Sequence, residues 1–368
     1  MDFRYTEEQT QFADALGRWL QKNYGFEHRQ HVARGRDGAS LEDWHELAEL
    51  GVFALTAPER VDGFDGDSAD VGLIMRLMGR HRVLEPVLDT LMGIAALKAA
   101  DGHDVLLGQL AAGQRRLSCA WYERSGEYRP AAAATRHEAG WRLDGQKNMV
   151  LHAAMADVFL ASARLPDGSP ALYAVPARTE GLSLRPYPML DGTRAADLLM
   201  QGVVLPDDAL VLSGEDALQA LLDLATAALC AEGVGVMESM NEATFEYMKT
   251  RRQFGEALGS FQALRHRCVD MHIAAEQARV LTHLALQPHV HEDPAARAQV
   301  VSAAKVSVNK ALRFIGQNAV HLHGGIGLTD ELPVSHDFRR ATLITKQFGD
   351  TDRHLSRFAT QPAFMAAA

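Results

Sequence analysis

The chain changes texture at RLSCAWYE (116–123). Short apolar runs follow: GWRLDGQKNMV (140–150), ADVFLASAR (156–164), PALYAVPA (170–177) and LSLRPYPML (182–190). Gly, Asp and Pro separate them, which is the punctuation of strands joined by tight turns. The pattern predicts a compact antiparallel β domain over about 116–208.

Outward from this block, in both directions, the pattern is helical. Upstream, Thr6 and Gln9 have capping-box spacing, and Phe12, Leu16, Trp19 and Leu20 form one apolar stripe. A second helix is predicted from Leu41 to Leu50, stopped by Gly51. APERVDGFDGDS (57–68) is a loop, and helix returns over Ala69–Arg82 and Glu85–Ala100. Downstream, helix resumes at Glu215. Leu264, Cys268, Met271 and Ala275 share a stripe, Asp293–Pro294 is an N-cap followed by Pro at N1, and Val301, Val308, Leu312 and Ile315 make the next stripe. The expected fold is a multidomain α+β arrangement. It has an N-terminal helical domain (1–115), a central antiparallel β domain (116–208) and a C-terminal four-helix bundle (209–368). Helices, then strands, then helices exclude an alternating α/β fold.

The 368 residues exceed what one core usually organises, about 250–300. Hydrophobic residues at 47% and charged ones at 23% exclude wholesale disorder. Net charge is −10, from 37 basic and 47 acidic side chains, which argues against nucleic acid as the partner. Cys119, Cys230 and Cys268 are far apart and no CxxC occurs, so neither a disulfide framework nor a zinc ribbon is expected. A reducing cytoplasm fits. MDFRYTEEQ is acidic and lacks the apolar stretch of a signal or transit peptide. No membrane-spanning run is expected.

General motifs carry little. GGIG (324–327) follows a helix where a dinucleotide fingerprint would follow a strand. GVGVME (233–238) lies inside a helix and reads as close helix packing. Walker A, HExxH and GxSxG motifs are absent. His289 and His291 flank a proline-containing loop and read as solvated. His321 and His323 face different sides of a helix end, so no metal site is expected.

Four longer segments say more. RRQFGEALGSFQALRHRCVDM (251–271) resembles the R-x-Q-F-G…F-Q…DM helix pair of the acyl-CoA dehydrogenase family. AVHLHGGIGLTDELP (319–333) resembles that family's second glycine segment, ELGVFALTAPERVDGFDGD (49–67) its N-terminal loop, and LDGQKNMV…ADVFLASAR (143–164) its β-domain core. The resemblance spans essentially the whole chain. It implies FAD as cofactor and an acyl-CoA thioester as substrate, oxidised to its α,β-enoyl form. In such chemistry a carboxylate takes the α-proton within about 3 Å in a dry pocket, while hydrogen bonds polarise the carbonyl.

By the resemblance, Arg251 is the arginine that pairs with the FAD diphosphate, a task suited to its planar charged fork. Phe254 and Gln262 match neighbouring FAD-contacting positions, and His321 stands where the family has glutamine. Gly324 and Gly325 match positions where backbone approaches the cofactor. Thr351 matches a threonine near the flavin. In family tetramers several of these contacts reach the FAD of a neighbouring subunit. Taken without the resemblance, Arg251 reads as a surface charge and the glycines as a helix cap.

The chemistry positions depart from the family. The glutamate of the Y-E-G-T motif is here Gly349, within Phe348-Gly349-Asp350-Thr351. The alternative base position on an earlier helix is Ala225, and the nearby arginine is Thr226, while Asp223 keeps the acid. Asp350 is one residue out of register and is the one candidate catalytic residue. The T-E-P-x-x-G-S-D segment becomes Tyr122-Glu123-Arg124-Ser125-Gly126-Glu127, and the Trp and hydroxyl facing the isoalloxazine become Met149 and Leu151. This asymmetry implies one subunit of a heteromeric acyl-CoA dehydrogenase, a heterotetramer of the kind seen in bacterial steroid side-chain or pimeloyl-CoA degradation. A second, similar subunit would supply the base, and electron-transfer flavoprotein would reoxidise the flavin. The alternatives are a self-sufficient homotetramer using Asp350, a flavoprotein cleaving CoA esters without a base, and a non-enzymatic scaffold.

Overall fold

The computed structural model describes residues 5–123 and 129–361. Six helices come first: α1 (Glu7–Asn23), α2 (Phe26–Arg34), α3 (Leu41–Glu49), α4 (Ser68–His81), α5 (Val87–Lys98) and α6 (Asp104–Ala111). Eight strands follow: β1 (Leu117–Ala120), β2 (Ala133–His137), β3 (Gly140–Leu151), β4 (Val158–Arg164), β5 (Pro170–Pro176), β6 (Leu182–Pro188), β7 (Arg194–Leu205) and β8 (Leu210–Ser213). Then come α7 (Glu215–Thr250), the two-residue strands β9 (Arg252–Gln253) and β10 (Glu256–Ala257), α8 (Gln262–Ala285), α9 (Pro288–Glu292), α10 (Pro294–His323), α11 (Pro333–Ile344) and α12 (Thr351–Ala359). The helix–sheet–helix order is the one expected from the sequence.

The chain forms two compact units. One contains Gln30–Asp67 and Leu84–Leu222. Its sheet runs β6-β7-β3-β2-β4-β5-β8, with β1 added alongside β4. Pairing is antiparallel except for β1 with β4 and a single β2–β4 pair, which are parallel. Strand β4 has neighbours on both sides and is buried along all but its last residue. Trp141, Leu143, Phe159, Tyr173, Leu198 and Met200 lie in the core beneath. Strand β6 is the exposed end of the sheet and carries Pro186 and Pro188, which withhold ladder donors from a stray strand.

The other unit contains Met1–Arg29, Ser68–Val83 and Asp223–Ala368. Helix α1 begins at the predicted capping box: Thr6 Oγ1 accepts from Gln9 N at 3.2 Å, and Gln9 Oε1 from Thr6 N at 3.1 Å. Asp293 caps α10 by accepting from Ala295 N, with Pro294 at N1 as expected. Small residues set the helix crossings. A β-carbon on Gly79 of α4 would strike the Glu232 carbonyl oxygen of α7, and one on Gly235 of α7 would strike that of Arg76 on α4. Gly233 faces Val308 and Leu312 of α10 and Ile344 of α11. Helix α7 thus meets α10 and α11, and α8, α11 and α12 all pack on α10.

Two expectations need correction. Helix α7 does contain a stretch long and apolar enough to cross a membrane, but 89% of that window is buried in the protein, so its hydrophobicity serves the core. His289 is exposed, whereas His291 lies in the short helix α9 and donates from Nε2 to the Ala285 oxygen at 2.9 Å.

Candidate functional site

Tyr247, one turn before Arg251, organises the end of α7. Its carbonyl accepts from Arg251 N at 2.8 Å, and the next polypeptide folds back so that Leu258 N donates to the Arg251 oxygen at 2.8 Å. Between them β9 and β10 pair around Phe254–Gly255. Both turn residues have positive φ, 54° and 85°, a conformation that favours Asn or Gly at the first place. Phe254 is 93% exposed there, touching Phe261 edge-on at 6.3 Å between ring centres. A large aromatic ring is therefore held in a left-handed turn and presented to solvent. Arg251 and Gln262 are exposed beside it, and Arg251 has no ion-pair partner among the described residues.

The glycine segment is brought to the same end of the unit by Tyr247. Its ring stacks on His323 at 4.4 Å, and its hydroxyl donates to the His323 carbonyl at 3.4 Å. His323 is buried, with Nδ1 bonded to the Ala319 oxygen at 2.8 Å, and burial lowers its pKa. His321 is exposed, so the two imidazoles point apart. Gly324 ends α10 at φ 68°, ψ −148°, a region closed to side-chain-bearing residues. Gly325 is different. Its φ is ordinary and a β-carbon there would meet nothing within 4 Å. Nothing among the described residues requires glycine at 325.

Asp350 and Thr351 lie at the start of α12. Asp350 is the N-cap, its Oδ1 accepting from Arg353 N at 3.1 Å. Both line a cleft of about 560 Å³ between α10, α11 and α12. Lys310, Arg313 and Lys346 also line it, and none is ion-paired among the described residues. At its floor Asn309 is 3% exposed, and neither its Oδ1 nor its Nδ2 has a hydrogen-bond partner among the described residues. A buried amide left this way is costly unless a ligand or water completes it. Three free cations and an orphaned amide fit a phosphorylated, hydrogen-bonding ligand such as the nucleotide part of FAD.

Around the earlier base position, Ala225 is fully buried and Thr226 nearly so. Asp223, also buried, accepts from Arg297 Nε at 3.1 Å and from both terminal nitrogens of Arg357. It is therefore an ion-pair anchor joining α7, α10 and α12.

In the sheet unit the expected flavin wall is both substituted and bent. The β3–β7 register slips between Lys147 and Val150, and Met149 adopts φ 51°. Met149 N is taken up by Tyr187 Oη at 3.1 Å and Asp197 Oδ1 at 3.4 Å. Leu151 stands where the family resemblance has a hydroxyl. The Met149 N–H is thus engaged within the sheet itself. Of the Tyr122–Glu127 segment, Arg124, Ser125, Gly126 and Glu127 lie outside the described residues. Glu123 accepts from Ala131 N and Ala132 N, at 2.8 and 3.0 Å, and from Lys147 Nζ at 2.5 Å. Lys147 is fully buried and also donates to Ser162 Oγ at 2.8 Å. Burial lowers its pKa, and Glu123 opposes that shift.

Sequence reading missed Tyr247, the Asn309 cleft and the Lys147 network. Only the last had a signal: Lys147 falls on the inward register shared with Leu143 of the same strand.

Residues 6–97 match the family model of the acyl-CoA dehydrogenase N-terminal domain, and residues 213–361 that of the acyl-CoA dehydrogenase C-terminal domain. The chain is 27% identical to acyl-CoA dehydrogenase FadE27 of Mycobacterium tuberculosis, with 99% of each covered. Among solved structures it resembles a chain of the Tcur3481-Tcur3483 steroid ACAD G363A variant, at TM-score 0.91 and 29% identity, covering 98% and 99% of the two chains. It also resembles a chain of the ChsE4-ChsE5 complex from Mycobacterium tuberculosis, at TM-score 0.92 and 25% identity, with 99% of each covered.

Proposed function

Because this chain belongs to the acyl-CoA dehydrogenase family, we propose that it works as one subunit of a heteromeric acyl-CoA dehydrogenase acting on a steroid-derived or similarly bulky acyl-CoA. The observation that carries this reading is Phe254, 93% exposed in a left-handed turn beside Arg251, which has no ion-pair partner among the described residues. A strained, solvated aromatic is maintained against its own stability, and a neighbouring subunit's cofactor gives it a purpose.

A bound FAD would supply the acceptor for a hydride from the acyl Cβ. This chain's share is positioning. Arg251 would neutralise diphosphate charge across the subunit boundary, and Phe254 and Gln262 would shape the same edge. His321 lies at the mouth of the glycine segment. Gly324 and Gly325 let backbone come close where a β-carbon would intrude. Thr351 and the orphaned Asn309 amide face a cleft suited to a nucleotide. Removal of the α-proton falls to the partner, since Gly349 has no side chain and Ala225 has no acid. The homomeric alternative would require Asp350 to leave its capping bond to Arg353 N. Electron-transfer flavoprotein is the proposed oxidant of the reduced assembly. The cytoplasm is the proposed compartment, in keeping with three free cysteines.

The test is flavin content per chain, by absorbance, for protein purified alone and after co-expression with neighbouring acyl-CoA dehydrogenase-like chains. The expected result is a ratio near zero alone, rising with acyl-CoA oxidation in the co-purified pair. A ratio near one with turnover by the chain alone overturns the heteromeric reading.

A further inference from the structure

The place where the family carries its glutamate is occupied, although Gly349 has no side chain. Gly349 sits at φ 106°, and Phe348 before it at φ 55°. Two consecutive positive φ values make a turn that a side-chain-bearing residue at 349 resists. A β-carbon on Gly349 would lie 2.9 Å from Nε2 and 3.1 Å from Cδ2 of His354. It would also lie 2.7 Å from Cδ of Arg353, whose long side chain is exposed. The imidazole is not free. His354 is 3% exposed and is held at both nitrogens: Nε2 lies 2.8 Å from the Phe348 carbonyl oxygen and Nδ1 3.3 Å from Ser302 Oγ. A carbonyl can only accept, so Nε2 carries the proton and Nδ1 accepts from the serine hydroxyl. Ser302 is itself fully buried on α10.

We infer that His354 is a positioning residue that holds the Phe348–Gly349 turn closed over the site where a base would stand. The inference rests on the reading that Gly349 replaces the family glutamate. The base position is then sealed by backbone geometry as well as emptied by substitution. Restoring a glutamate puts its β-carbon into a fixed ring and its backbone into a disfavoured region. The half-site belonging to this chain is consequently committed to binding and positioning, and one substitution does not return it to proton abstraction.

The experiment is a thermal cycle on the full chain. Gly349→Ala is expected to lower Tm by about 3–6 °C, from the combined φ strain and contact with the ring. In a His354→Ala background the same change is expected to cost about half as much, because the ring is gone. His354→Gln keeps a donor for the Phe348 carbonyl and is expected to melt within about 2 °C of the parent, whereas His354→Leu, similar in bulk but without a donor, falls by about 3 °C or more. Additive drops in the cycle, or a Gln variant no better than Leu, would overturn the lock. In the co-purified assembly, Gly349→Glu is expected to add no turnover per flavin, and a twofold gain likewise overturns it. Failure of the base reading shows elsewhere: acyl-CoA oxidation by the unaltered chain alone would remove that reading, whatever the thermal cycle gives.

Discussion

The ring of Tyr247 lies on the imidazole of His323, and its hydroxyl reaches that residue's carbonyl. This is the tie between the Arg251–Ala257 hairpin and the glycine turn, two segments some seventy residues apart in the sequence. Tyr247→Phe removes one hydrogen bond and is expected to cost about 0.5–1.5 kcal/mol. Tyr247→Ala also loses the stack and is expected to cost about 2–3 kcal/mol. Denaturant melts check both figures. Flavin occupancy of the co-purified assembly should fall much further for the alanine variant, because the two segments lose their common support.

The adjacent glycines should respond oppositely to alanine. Gly324→Ala forces a side chain into a positive-φ helix end and is expected to cost about 1–3 kcal/mol. Gly325→Ala meets no atom of the described residues, so stability should stay within about 0.5 kcal/mol while assembly flavin drops. Equal flavin content for Gly325→Ala and the parent would remove that glycine from the cofactor edge.

Phe254 sets function against stability. Asn is the residue its turn conformation favours. Phe254→Asn is expected to stabilise the chain by about 0.5–1 kcal/mol and to weaken flavin retention by the assembly. Paired thermal melts and flavin absorbance decide it; a variant that gains stability and keeps flavin contradicts the role assigned to the ring.

The pH dependence follows from two buried groups. Burial, with Lys305 and the neighbouring arginines adding repulsion, lowers the His354 pKa from 6.5 to about 4. The unfolded chain therefore takes the proton first as pH falls. Stability should decline between about pH 6.5 and 4, by up to about 3 kcal/mol from this group, and His81, also lowered to about 4, acts in the same direction. Lys305 is fully buried with its ammonium on the Ile344 carbonyl, and burial lowers its pKa from 10.5 to about 8. Its charged form is a cost below pH 8, and that cost is relieved as pH rises towards 10.5. Urea midpoints from pH 4 to 10 should show both limbs, and His354→Gln should shallow the acid one.

Lys147 and Glu123 form a buried pair in which each charge depends on the other. Lys147→Met strands a buried carboxylate and is expected to cost about 3–5 kcal/mol. Glu123→Gln/Lys147→Met should cost less than the two single changes summed, as measured by a double-mutant cycle.

Much of the fold was legible in local pattern. The capping box at Thr6, the Asp293–Pro294 start of α10 and the Gly/Asp/Pro punctuation between strands all act over a few residues, and they fold as read. The bulge at Met149 was not legible. Its left-handed backbone is fixed by Tyr187 and Asp197, which arrive from other strands. The cleft beside Asp350 was hidden for a similar reason: Lys310 and Arg313 come from one helix and Lys346 from beyond another. Gly349 could be aligned with a lost glutamate, but the sequence did not reveal that His354, five residues later, folds back against it.

The α4–α7 crossing is held by reciprocal glycines, Gly79 against the Glu232 carbonyl and Gly235 against that of Arg76. A slide of one helical turn would bring Met75 or Ser239 to the points of closest approach, where backbone already touches backbone. The crossing is thus a key cut for a single register. Docking out of step would set a side chain against backbone at both points. The information for correct docking resides in two positions that contribute no side chain at all.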